Sequence, residues 1–519
     1  MIQTRHIYPG MGASGYIGKV LTERLLQIGN QVHVIGTRTA VMSIRTLRSS
    51  RSLFSLPFPL LALTLTAALA FLLGCAPAAE KEAGAPVSNT TTIEARVAAR
   101  GSAPSPSAKS PALPSPFHTP SATRFPKIIG WPEGKTPAAP AGFQVSVYAD
   151  GLDHPRWLYV LPNGDLLVAE SNTEKLGGEM PRPVRKAIED AGLMGSSANR
   201  ITLVRDANGD GKPEVNETFL ARLNQPFGML LLRDWLYVAN TDALIRFPYH
   251  EGQTKITVKG EKVLDLPAGG YNNHWTRNVV ASPDGSKLYV SVGSQTNVDE
   301  EGLDAKEPRR AAILEVGPDG SDMRIFASGL RNPNGMDWAA GTRTLWTVVN
   351  ERDELGDDLV PDYLTSVQEG AFYGWPYSYF GQNEDPRKKG ERPDLVAKAV
   401  VPDLAIGAHT ASLGLTFYHA ANAFPQRYRG GAFIGQHGSW NRSRLAGYKA
   451  IFVPFQAGRT SGPAEDFLTG FIADEAKSEV YGRPVGLAVL PDGSLLVADD
   501  GGNVVWRVAY VGSGTTASR

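Results

Sequence analysis

The chain has 519 residues, 42% hydrophobic and 20% charged, with 52 basic side chains balanced by 52 acidic ones. That is ordinary globular composition, and a net charge of zero supplies no electrostatic pull toward nucleic acid. The single cysteine excludes an intramolecular disulfide framework or a cysteine-cluster metal site, and 55 glycines with 37 prolines favour short strands and turns over long helices.

Residues 1–41 carry Gly12-Ala13-Ser14-Gly15-Tyr16-Ile17-Gly18 ahead of a helical pattern and a short strand, Gln31-Val32-His33-Val34-Ile35. This resembles the opening of an NAD(P)-dependent epimerase, where a glycine-rich turn brings phosphate to a helix N-terminus. Such a fold needs several further βα units to bury its sheet, and the pattern stops after one. Residues 1–41 are therefore read as a spurious or fusion-derived fragment, with Met42 as the natural start. From there Arg45, Arg48 and Arg51 form a basic region and Leu60 to Leu73 an apolar one. The run ends in Leu72-Leu73-Gly74-Cys75, which resembles the lipobox of bacterial lipoproteins, so 42–75 is expected to be a lipoprotein signal peptide. An uncleaved anchor from Leu53 to Leu73 is the alternative. Either places the rest outside the cytoplasm, and the lipoprotein reading makes it a periplasmic or extracytoplasmic domain anchored to the membrane through Cys75. Residues 76–125, rich in Ala, Pro and Ser, cannot bury a core and read as a tether.

Residues 126–512 repeat one pattern. Gly151-Leu152-Asp153-His154-Pro155 leads into Trp157 to Val160, Pro162-Asn163-Gly164-Asp165 and Leu166 to Glu170. Gly482-Arg483-Pro484 leads likewise through Leu487, Pro491-Asp492-Gly493 and Leu495 to Asp499. Weaker copies begin near Gln225, Thr276, Arg331 and Ser412. Asn-Gly and Asp-Gly tolerate the positive φ of tight hairpins. Six such units, spaced by roughly 50 to 80 residues, predict an all-β, six-bladed β-propeller with loop insertions. Gly142 to Tyr148 is expected to close the ring beside the last blade.

Five stretches hold residues with chemistry. Asp206, Asn208, Asp210 and Glu217 match the spacing of an EF-hand calcium loop, but they follow a strand and Pro213 intrudes, so a hairpin turn competes with a Ca²⁺ site. His274, in Tyr271-Asn272-Asn273-His274-Trp275-Thr276-Arg277, can take a proton near neutral pH. Arg331, in Gly329-Leu330-Arg331-Asn332-Pro333-Asn334-Gly335, carries a planar fork suited to a carboxylate. Behind it, six acids between Glu351 and Asp362 face one base, Arg352, which suggests a cation. Gly435-Gln436-His437-Gly438-Ser439-Trp440-Asn441-Arg442 sets polar groups and an indole straight after an apolar strand. Arg483 opens the sixth copy.

The stretch from Gly329 to Tyr377, within a region running from about Gly142 to Val508, resembles the soluble quinoprotein dehydrogenases, most of all their sorbosone (aldose) dehydrogenase branch. The resemblance implies pyrroloquinoline quinone contacted by Arg331, Asn332, His437, Trp440, Arg442 and Arg483. It implies Ca²⁺ on the backbone carbonyls of Asp353 and Glu354, and His274 as general base. A sugar would be the substrate, and an external acceptor would take the electrons. Two departures stand out: Asn273 replaces an acid of the glucose-oxidising relatives, and Val485 stands where relatives carry a second arginine. A calcium-dependent lactonase and a non-catalytic carbohydrate-binding propeller are the rival readings, since one fold hosts many functions.

Overall fold

A computed structural model describes residues 112–174, 181–420 and 423–512. The glycine motif of residues 1–41, the signal segment, Cys75 and most of the tether lie outside the described residues. Among those described, no helix is long and apolar enough to cross a membrane.

Six four-stranded antiparallel sheets carry the chain, as the repeat predicts. Their first strands are Pro155–Val160, Met229–Leu232, Arg277–Ala281, Pro333–Trp338, Ser412–Phe417 and Pro484–Val489, in blades one to six. Each first strand touches the next around the ring, and that of blade six returns to that of blade one. The second strands are buried along their whole length in five blades: Leu166–Glu170, Leu288–Val292, Leu345–Val349, Ala432–Gln436 and Leu495–Asp499. A strand covered on both faces needs a continuous apolar run rather than alternation, which is how these segments read. Between blades one and two, for example, Leu203 and Phe219 pack in one cluster with Leu236 and Phe247.

Phe143–Ala149 supplies the outer strand of blade six, pairing antiparallel with Val504–Tyr510 from Phe143↔Tyr510 onward. Phe143 also meets Phe424, Tyr428, Phe467 and Tyr510 edge-to-face at 4.7–5.5 Å. Such aromatic pairs each contribute about 0.5–1.5 kcal/mol beyond area burial, so the N-terminal strand is fastened to blades five and six together.

Two insertions shape one end of the ring. A helix, Arg182–Asp190, starts with Pro181 at its cap and buries Val184 and Ile188 one turn apart, beside Phe125 and Leu193. Residues 112–125, read above as tether, lie against blades four and five. The Phe117 amide donates to the Leu355 carbonyl (2.8 Å), the Arg124 amide to the Trp440 carbonyl (2.7 Å), and Phe125 stacks on Trp440 at 5.9 Å.

Where blades five and six meet, only a residue without a side chain fits. A Cβ on Gly414 or Gly435 would lie 2.0 or 2.1 Å from the Val485 carbonyl oxygen, far inside contact distance. Gly435→Ala should therefore lower stability by about 1–3 kcal/mol, the range for overpacking a close-packed site. An unchanged urea midpoint would show that the two strands do not approach so closely.

Candidate functional site

In an antiparallel blade the start of the first strand lies beside the end of the second. The ring therefore brings blade starts and second-strand ends to the same mouth. A cavity of about 170 Å³ opens there, more than ten times the space one water needs. His154 and Arg156 reach it from blade one, His274 and Thr276 from blade three, Asn332 and Asn334 from blade four, His437 and Trp440 from blade five, and Arg483 from blade six.

His274 is held in a defined tautomer. Its Nδ1 lies 2.8 Å from the Ser294 carbonyl, which can only accept, so Nδ1 carries the hydrogen and Nε2 keeps its lone pair. Ser294 is fixed in turn by its amide, which donates to the Arg331 carbonyl at 2.8 Å. Burial, then the nearby Arg331 guanidinium, press the His274 pKa well below 6.5. At neutral pH this is an uncharged base.

His437 and Arg483 stand on the other side. Arg483 donates from Nε to the His437 carbonyl (3.1 Å) and from Nη2 to the Gly438 carbonyl (3.2 Å), leaving Nη1 with no protein partner. The His437 Nε2 lies 2.7 Å from Asp500, and burial and Arg483 push its pKa down to about 3. Burial would raise the pKa of Asp500, but His437, His154 and Arg156 outweigh it and hold the carboxylate ionised.

Thr276 Oγ1, the Asn332 Oδ1, both side-chain polar atoms of Asn334, Arg156 Nε and Arg483 Nη1 are buried without a protein partner, all on residues that line the cavity. An unmet buried polar atom costs about 1–3 kcal/mol, so the mouth suits a polar ligand whose carbonyl or carboxylate oxygens accept from the Arg156, Arg483 and Asn334 N–H groups and whose N–H or O–H groups donate to the Asn332 and Asn334 Oδ1 atoms. Pyrroloquinoline quinone, with carboxylates, quinone carbonyls and one pyrrole N–H, fits that mixed set of donors and acceptors.

Of the two loop carbonyls expected to hold calcium, Asp353 and Glu354, that of Asp353 is already engaged. The Asp353 carbonyl accepts from Arg352 Nε (2.8 Å) and Nη2 (2.5 Å), and a divalent ion on it would sit against that buried guanidinium. The Asp353 carboxylate meets Arg331 Nη2 (3.2 Å) and Asn441 (2.5 Å), and its pKa is lowered to about 2 because Arg331 outweighs burial. Glu354 pairs with Arg387, Asp358 with Arg442, and Arg352 itself with Asp385. Asp357 accepts from Ser443, Asp362 from the Glu351 and Ser412 amides, and Glu351 from the Arg352 amide. All six acids thus have partners within the protein, and the loop's cations are distant arginines.

The structure brings His274, Asn332, His437, Trp440 and Arg483 together. Arg331 lies just behind them, spent on Asn297, Glu351 and Asp353. Arg442 lines a different cavity, beside Gln436 and Tyr448. Asp206 and Asp210 cluster with Glu214 rather than Glu217, which sits on the following strand, Val215–Leu220, opposite Leu203. Asp206 spends its carboxylate on the Gly209, Asp210 and Gly211 amides, as a hairpin turn does. Arg156, His154, Asn334, Ser294 and Asp500 were not singled out from sequence. Arg156 could have been, since it adjoins the proline that opens blade one, much as Arg483 adjoins the proline of blade six.

The chain matches the family model described as TrAA12-like over residues 137–379 and 382–510. It is 27% identical to the aldose sugar dehydrogenase YliI of Escherichia coli over 320 residues, 57% of this chain and 79% of that one. Among solved structures it resembles the calcium structure of a Trichoderma reesei carbohydrate-active enzyme of family AA12 (TM-score 0.58, 18% identity, 72% of this chain and 97% of that chain). It also resembles the holo form of the pyranose dehydrogenase PQQ domain of Coprinopsis cinerea (TM-score 0.57, 20% identity, 74% and 100%). At these identities the structural likeness speaks for the fold.

The Arg352–Asp385 pair spans 2.5 Å with both side chains 1% exposed. Asp385→Ala strands a buried guanidinium and should cost about 3–5 kcal/mol in chemical denaturation. Asp358→Ala, which frees the surface partner Arg442, should cost less than about 1 kcal/mol. Equal effects would contradict this account of the loop.

Proposed function

The chain belongs to the TrAA12-like family, and on that premise we propose that it is a quinoprotein dehydrogenase, oxidising an aldose or related sugar aldehyde of the sorbosone type with pyrroloquinoline quinone. The observation that carries the reading is one cavity holding a neutral, tautomer-fixed imidazole, His274, opposite two buried guanidinium groups, Arg156 and Arg483. When bound, the quinone supplies the two-electron oxidant, and the protein supplies orientation and electrostatics.

The spare N–H groups of Arg156 and Arg483 would hold the cofactor carboxylates, and the Asn332 and Asn334 amides would help to orient it. Trp440 offers an aromatic wall. A sugar hydroxyl bound toward His274 would give its proton to Nε2 as its carbon passes two electrons to the quinone. Imidazolium formed there is stabilised through Nδ1–H on the Ser294 carbonyl. The Asp353 carbonyl is engaged by Arg352 and is not free to hold calcium. A calcium-dependent lactonase would need carboxylates converging on a metal, and among the described residues lining the cavity none is a carboxylate.

Export as a lipoprotein anchored through Cys75 belongs to the same reading, supported by the basic and apolar runs before that residue. Palmitate labelling should mark the wild-type chain and not Cys75→Ser; equal labelling would discard the anchor.

His274→Ala should lower turnover by roughly 10²–10⁴-fold with quinone affinity nearly unchanged. Arg483→Ala should instead weaken quinone binding by roughly ten- to a hundredfold, so that added quinone restores part of its activity. Because the His274 pKa lies below 6.5, the base stays neutral as pH falls through 6.5. The acid limb of kcat/KM should accordingly appear only at lower pH. Quinone titration of the apo-protein with dye reduction across an aldose panel checks all three. A wild-type chain that binds no quinone sinks the reading.

A further inference from the structure

The half of the mouth opposite His274 is built around one carboxylate. The Asp500 side chain has no solvent exposure. Its Oδ1 and Oδ2 lie 2.9 and 2.7 Å from His437 Nε2, its Oδ2 lies 3.2 Å from His154 Nε2, and Arg156 Nη1 hydrogen-bonds to the same oxygen. The Asp500 amide donates to the Arg483 carbonyl at 3.2 Å. Groups from blades one, five and six thus converge on a residue that does not itself line the cavity.

We propose that Asp500 is the positioning residue of this half: it gathers His154, Arg156 and His437, and so fixes where an anionic ligand is met. The ligand is named by the quinone reading above, and to that extent the proposal rests on it.

Two consequences follow from the chemistry. An ionised carboxylate only accepts, so His437 must carry its hydrogen on Nε2 and keep Nδ1 as an acceptor. Arg156 Nη1 is 3.3 Å from the same Nε2, so Asp500 holds two donors side by side that would otherwise drift apart. The second consequence concerns sign. Asp500 places a negative charge among Arg156 and Arg483, so by charge alone it weakens the binding of an anion. A positioning role has the opposite effect.

Asp500→Asn separates the two. It preserves shape, makes the mouth more positive, and turns an NH₂ toward groups that already donate. Titration of the apo-protein with pyrroloquinoline quinone, followed by fluorescence, should show affinity at least tenfold weaker than wild type, with a cooperative thermal transition retained. Unchanged or tighter binding overturns the proposal. Should the variant fail to fold, the wild-type chain still decides. Histidine ¹⁵N spectra, with His437 assigned through His437→Gln, should show a ring that carries its hydrogen on Nε2. A ring protonated on Nδ1 alone overturns the proposal without touching the quinone reading. Wild-type protein that binds no quinone overturns the reading and the ligand half of the proposal, while the tautomer still judges the role of Asp500.

Discussion

An antiparallel hairpin returns to where it began, and six of them set in a ring return to one place. That constraint decides which residues can cooperate here. Residues at the start of a blade, and those just past its second strand, are delivered to the mouth by strand geometry. His154 and Arg156 flank Pro155, Asn332 precedes Pro333, and Arg483 precedes Pro484. His437 and Asp500 follow Ala432–Gln436 and Leu495–Asp499. The loops then need only be short and braced, and each is braced by hydrogen bonds to a neighbouring blade.

Charge is handled by the same logic. The mouth faces a ligand with cations, while the ring of acids that might have called for a metal is neutralised from within. Arg331 serves the second purpose: its guanidinium bridges Asn297, the Glu351 carbonyl and Asp353, and its own carbonyl holds Ser294 beneath His274. Its contacts thus brace the loop that holds His274. Burial raises the Glu351 pKa to about 7, which further reduces the negative charge held in this loop.

The fold was legible because its signals are local. Pro-Asn-Gly and Pro-Asp-Gly hairpins and continuous apolar second strands mark the blades without reference to anything distant. His274, Asn332, His437, Trp440 and Arg483 were legible because each lies at a blade start or just after a second strand. What failed was pairing across the ring. The acids of residues 351–362 looked uncompensated because Arg387 and Arg442 arrive from other loops, and Arg331 from across the hairpin. Arg442, only two residues past Trp440, has already turned away toward Asp358. Asp500 was invisible because its partners lie some 60 to 350 residues away in sequence, and no local pattern distinguishes it from Asp499. Asp499 accepts instead from the indoles of Trp131 and Trp506.

Residues 112–125 turn the rim of the mouth into a composite surface. Trp440 shows one side to the cavity and stacks the other on Phe125, while Thr119 and Ser121 hold the amides of Asp357 and Gly356. A recombinant chain begun at residue 126 would keep all six blades and their closing strand, yet its indole wall would be wetted from behind. The practical edge of the folded unit is therefore drawn by what backs Trp440, at Phe125, ahead of the closing strand Phe143–Ala149 from which blade pairing begins.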